Sequence, residues 1–181
     1  VITDMVSREI AAALEAALTE IGAPYRTFVL EECAPRPLEA MPRVVLDDME
    51  SSQVSIFAVV AQRNELRSRM QMTDVVNRRK IRHAHMVNIP AEIMTQGMRA
   101  DFLAIDHLSQ AVLDKVREAT YVRATTPAGT DIHAQLNPDY RWFKTSGIIS
   151  PEKWGNLPGG ECFTAPGEVN GVFVVDGVVG D

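Results

Sequence analysis

The stretch "VSIFAVVA", Val54 to Ala61, is apolar at seven of its eight positions and constrains the fold more than any other segment. A strand with one wet face alternates apolar and polar residues, whereas a continuous apolar run of this length is buried on both faces. Burial on both faces requires helices above and below, and the neighbouring segments supply them. "SREIAAALEAALTEIG" places apolar residues at helical spacing, with Ser7 as N-cap and Gly22 at the C-terminal end. Val1 to Thr3 read as the end of a strand, "YRTFVLEE" as a second strand, and "LEAMPRVVLDDMESS" as a short helix or loop interrupted by Pro42. Asn64 to Arg79 are expected to be helical, "RHAHMVNI" to be a further strand, and Pro90 to start one long amphipathic helix running to about Glu118. Strands alternating with helices predict βαβ units: an α/β fold with a mostly parallel sheet flanked by helices.

After Glu118 the pattern changes. "TYVRATTPAGTDIHAQL" is two β-rich runs around Pro127, Ala128 and Gly129, which signals a hairpin, and "RWFKTSGIIS" and "GVFVVDGVV" add short strands with glycine turns. The reading is therefore an α/β domain over 1–118 and the start of a β-rich domain over 119–181. The chain opens on "VITD" without an initiator Met and closes in a hairpin whose second strand has barely begun, so it is expected to be a piece of a longer protein.

Charge and composition exclude several classes. A net charge of −6 gives no basic footprint, and the arginines between Arg63 and Arg82 are interleaved with apolar residues as on a solvated helix face, which argues against nucleic acid as a partner. No apolar run approaches the roughly 18 residues that span a bilayer, so no membrane role is expected. Two cysteines, Cys33 and Cys162, lie far apart without CxxC spacing, which fits a reducing cytoplasm. No glycine-rich dinucleotide or P-loop signature follows any strand.

Few residues carry chemistry. Alternation along a strand puts His83 and His85 on one face about 7 Å apart, where they could chelate a metal, yet no third ligand is close in sequence, and two histidines hydrogen-bonded at a strand end are the simpler expectation. His107 reads as solvated, and His133 lacks an identified partner. Cys162 has no basic neighbour to activate it, and Ser146, Ser150 and Thr164 stand in no nucleophile motif. "GNLPGGECFTAP", Gly155 to Pro166, remains: one carboxylate, Glu161, in a stretch stiffened by Pro158 and Pro166. Such stiffness keeps a metal ligand or general base aimed. On composition alone, a surface turn with a solvated Glu is the simpler account.

"GNLPGGECFTAP" followed by "VNGVFVVDG", with "RATTPAGTDIHAQL" upstream, resembles the signature of the thermophilic metallo-aminopeptidase family (aminopeptidase T, aminopeptidase S and related leucyl aminopeptidases). The resemblance is strongest from Val122 to Asp176 and implies a cytoplasmic, homodimeric hydrolase that removes N-terminal residues from peptides with two divalent metal ions (Zn, Co or Mn). It implies that Glu161 is a metal ligand, that Asn156, Pro158, Gly160, Thr164 and Pro166 shape its loop, and that Gly129 and Asp131 belong to the preceding hairpin. The family's remaining ligands, a second Glu, two His and an Asp, and its catalytic Tyr lie downstream of the signature, outside these residues. None of His83, His85, His107 or His133 matches them, so no role passes to these histidines, and the 181 residues alone are expected to be inactive. A related branch of the same fold, the dihydroxypyridine ring-cleaving dioxygenases, uses one non-haem Fe(II) held by two His and one Asp. An α/β binding module without catalysis is the third alternative.

Overall fold

The computed structural model describes residues 1–177, which divide into two compact units, Val1–Ile105 with Ser146–Gly159, and Asp106–Thr145 with the segment from Gly160 onward. Each is described separately.

The first unit is built on a five-stranded parallel sheet in the order β2-β1-β3-β4-β8. It begins with β1 (Ile2–Thr3), α1 (Arg8–Glu20), β2 (Phe28–Val29), α2 (Leu30–Cys33) and α3 (Arg43–Met49). Then come β3 (Val54–Val59), α4 (Leu66–Arg79), β4 (Arg82–Val87) and α5 (Ala91–Thr95), and the unit is closed much later in sequence by β8 (Gly155–Asn156). The apolar run is the central strand, as its composition requires. Phe57 and Val59 pack with Leu30, Val45, Met72 and Val76 on one face of the sheet, and Ala58 packs with Ile10 and Met86 on the other.

Three local expectations are corrected. The "YRTFVLEE" strand is only two residues long, because Leu30 turns inward and starts α2, with the Ala34 N–H returning to the Leu30 carbonyl. Pro42 does not interrupt a helix; it caps α3, where its missing N–H costs nothing. The long helix from Pro90 is broken: α5 ends at Thr95, a 3-10 turn spans Gly97–Arg99, and α6 (Phe102–Val116) starts afresh. Asp101 explains the restart, since its Oδ1 accepts the N–H groups of Leu103 and Ala104 as an N-cap does.

The second unit, which α6 enters at Asp106, carries an antiparallel sheet in the order β10-β6-β5, from β5 (Tyr121–Thr125), β6 (Asp131–Leu136) and β10 (Pro166–Val172). A two-stranded ribbon pairs β7 (Phe143–Thr145) with β9 (Glu161–Phe163). The expected hairpin at Pro127–Gly129 joins β5 to β6, with Gly129 at φ 107 and the Arg123 guanidinium paired in two contacts with Asp131. The last strand of the hairpin expected at the chain's end lies outside the described residues. Among these residues no helix is long and apolar enough to cross a membrane.

Candidate functional site

Alternation along a two-stranded ribbon sorts its side chains onto two faces. On one face Lys144 and Cys162 point to α6: Lys144 Nζ is 2.9 Å from Asp106 Oδ1, and Cys162 Sγ donates to the Ser109 carbonyl at 3.2 Å. These contacts leave Cys162 half-buried in a structural role. The opposite face presents Thr145 opposite Glu161 and Phe143 opposite Phe163. Thr145 Oγ1 donates to Glu161 Oε1 at 3.1 Å, and among the described residues Glu161 Oε2 has no partner. The carboxylate is exposed.

The segment before Glu161 is fixed from several directions. Asn156 pairs with His85 in the parallel sheet, and the Leu157 N–H donates to the His85 carbonyl. Pro158 packs on Gly97. Gly159 has no room for a side chain, because a Cβ there would stand 2.3 Å from the Gly147 nitrogen. Gly160, at φ 146, donates its N–H to the Thr145 carbonyl at 2.8 Å and so begins the ribbon pairing. Downstream, Thr164 Oγ1 holds the Arg141 carbonyl and Pro166 opens β10 opposite Leu136. Pro158, Gly159 and Gly160 thus each meet a specific packing or backbone demand within their own unit, and the Gly160 pairing starts the strand that carries Glu161.

The histidines fall into two groups. His83 and His85 share a face of β4 under α4, and they form a buried chain: Ser55 Oγ and His83 Nδ1 are 2.8 Å apart, and His83 Nε2 and His85 Nδ1 are 3.3 Å apart. His85 stacks on Phe57, and Trp154 lies against both imidazoles. Burial, with His85 as neighbour, pushes His83 down to about 3; burial, with Arg69 nearby, pushes His85 down to about 4. Both are neutral at physiological pH, and the nitrogens that face one another are occupied by their mutual hydrogen bond. His107 is exposed on α6, and His133 is exposed on β6 with its ring 5.0 Å from Tyr121.

One cluster has no counterpart in the sequence reading. At the carboxyl end of β1, the buried Asp4 accepts the N–H groups of Ser7 and Val60 and, through Oδ2, a hydrogen bond from Arg36 Nη1 at 2.7 Å. Arg36 Nε donates to Glu65 Oε1 at 2.8 Å, its second nitrogen reaches Glu65 Oε2 and the Val60 carbonyl, and Glu31 lies at 3.4 Å. Burial opposes charge on both Asp4 and Glu65, but the backbone N–H donors and the guanidinium outweigh it and hold both carboxyls below their ordinary range. The available signal was an arginine between two prolines, Pro35 and Pro37, a restricted backbone position for so long a side chain.

Among the described residues no three His, Cys, Asp or Glu side chains gather as a metal site. These residues therefore do not by themselves fit a two-metal centre. No family model and no curated protein matches the chain. The solved structure of 2,5-dihydroxypyridine dioxygenase from Pseudomonas putida KT2440 is similar over 92% of this chain and 50% of that one, with a TM-score of 0.61 and 18% identity. The chain spans half the length of that enzyme, and at this identity what the two share is the fold.

Proposed function

We propose that this chain forms part of a metal-dependent aminopeptidase-like hydrolase acting on peptide N-termini, with Glu161 as one ligand of a centre of two divalent ions. One observation carries the reading: the ribbon that Gly160 opens, its N–H on the Thr145 carbonyl, presents on its open face a single exposed carboxylate, Glu161, whose Oε2 has no partner among the described residues. A ligand must be held before the metal arrives, and second contacts such as the Thr145 hydroxyl serve that purpose. The remaining ligands are assigned to residues outside the described ones, and the homodimeric state is part of the same proposal.

The fold comparison favours a second reading, a ring-cleaving Fe(II) dioxygenase, because the similar solved structure is that of a 2,5-dihydroxypyridine dioxygenase. A mononuclear iron site leaves Glu161 without a metal to bind. The two readings separate on the protein carrying this chain at its natural length, by metal content and turnover. Two divalent ions per chain and release of leucine from leucyl-p-nitroanilide, falling by about a hundredfold or more in Glu161→Ala, are expected for the hydrolase. One ferrous ion, with consumption of 2,5-dihydroxypyridine that Glu161→Ala leaves intact, overturns it in favour of the dioxygenase.

A further inference from the structure

The face of the ribbon that carries Glu161 also carries an organised set of groups that metal ligation does not use. Phe143 and Phe163 are cross-strand partners with ring centroids 5.4 Å apart and planes 19° apart, a stacked pair. Both are exposed, at 45% and 44%. An aromatic pair this open leaves one side of its apolar area wet, and burial of that area against a ligand is favourable. Over the Phe143 ring lies the guanidinium of Arg141, its central carbon 5.4 Å from the centroid. Arg141 is exposed and has no carboxylate partner among the described residues, while the Thr164 hydroxyl fixes its backbone through the Arg141 carbonyl. Cation–π contact orients the fork without consuming its hydrogen-bond donors.

The order of groups along the ribbon is therefore an acid at the Thr145–Glu161 pair, an apolar platform at the Phe143–Phe163 pair, and a cation above that platform. Two residues of strand separate the two pairs, about 7 Å by the strand rise. That spacing matches a di- or tripeptide: its apolar side chain on the rings, its free C-terminal carboxylate on the guanidinium, and its amino end toward Glu161. Longer peptides have no free carboxylate at that distance.

We infer that Arg141, Phe143 and Phe163 form a subsite for short peptides with an apolar residue at a free C-terminal carboxylate, which would make the hydrolase selective by length. The inference rests on the hydrolase reading for the direction in which the peptide lies, but its test needs no metal. Titration of Gly-Gly-Leu into the isotopically labelled, metal-free protein that carries this chain at its natural length, followed by amide chemical shifts, is expected to perturb residues 141–145 and 161–163. The C-terminal amide Gly-Gly-Leu-NH2 is expected to bind at least about threefold more weakly, because the charge-assisted contact is gone. Arg141→Gln erases the difference between acid and amide, Arg141→Lys keeps part of it, and Phe163→Ser weakens both ligands alike. Equal affinity for acid and amide, a preference that survives Arg141→Gln, or shifts confined to other residues overturn the subsite, as does self-association of the chain through Phe143 and Phe163. Loss of the peptide preference with Glu161-dependent metal content intact breaks the subsite alone. A preference that persists in a protein without such metal supports the subsite and breaks only the hydrolase reading.

Discussion

The two units bury different things. In the first, the parallel sheet is covered on both faces, and it takes ionisable groups out of water together with their partners: the charged Asp4, Arg36 and Glu65 in one network, the neutral His83 and His85 in another. In the second, Leu136 is the one buried apolar residue among the described ones, and Tyr121, Val122, Phe143, Phe163, Val169 and Val172 are exposed. Buried polar groups that are fully satisfied make a region rigid and intolerant of change, whereas exposed aromatic and acidic groups are free to meet something else. The first unit is where substitutions should unfold the protein, and the second is where they should alter what it binds.

Four measurements test that contrast. The largest effect is expected at Arg36. Arg36→Met leaves Asp4 and Glu65 buried without their cation, and urea denaturation should show a loss of about 3 to 5 kcal/mol. A value under 1 kcal/mol would mean that the network is not a pillar of the first unit.

The next effect is a pH dependence. The unfolded chain protonates His83 and His85 near the ordinary 6.5, but the folded chain holds them neutral down to about 3 and about 4. Stability should therefore fall as pH drops below 6.5, by about 1.4 kcal/mol per pH unit for each histidine. Trp154 fluorescence in a Trp142→Phe background reads the unit concerned, and His85→Gln should roughly halve the slope between about pH 6 and 4.5. Asp4 and Glu65 act in a lower window. Their folded values are depressed below 3.8 and 4.5, so the stability they give is present above those values and is lost as pH falls through and beneath them. An unchanged slope in His85→Gln removes the histidines from this account.

A smaller change is expected from Asp101→Ala. Losing the cap of α6 should cost about 1 kcal/mol, and Asp101→Asn or Asp101→Ser should recover most of it. Phe163→Ser should move stability by less than about 0.5 kcal/mol, because the ring is already exposed. A loss of 2 kcal/mol or more at Phe163 would place that side chain in a core and erase the distinction between the units.

The sequence disclosed what is periodic and concealed what depends on distant partners. The run from Val54 to Ala61 announced a central parallel strand because burial on both faces leaves a compositional trace. The break between α5 and α6 left a fainter one, since the apolar spacing continues through it and only Gly97 and the capping Asp101 mark the stop. Strand β8 left none: two residues, Gly155 and Asn156, join the sheet through pairing with Ala84 and His85 rather than through any pattern of their own. Glu161 was conspicuous through the rigidity of its surroundings, whereas its companions Arg141, Phe143 and Phe163 became visible only when ribbon pairing set them on one face. The Asp4–Arg36–Glu65 network unites three segments that sequence distance hides.

The late arrival of β8 also sets an order of events. Strands β1 to β4 can pair as soon as Val87 has been made, because only α1 to α4 lie between them in the chain. The Ala84–Gly155 pairing joins residues 71 positions apart (155 − 84), and closing so long a loop yields nothing until its ends meet. Until then the outer edge of β4 is an open template. During synthesis on the ribosome this edge waits for its own strand through the making of α5, α6 and the hairpin, and it is the place where a nascent chain most needs protection from its neighbours.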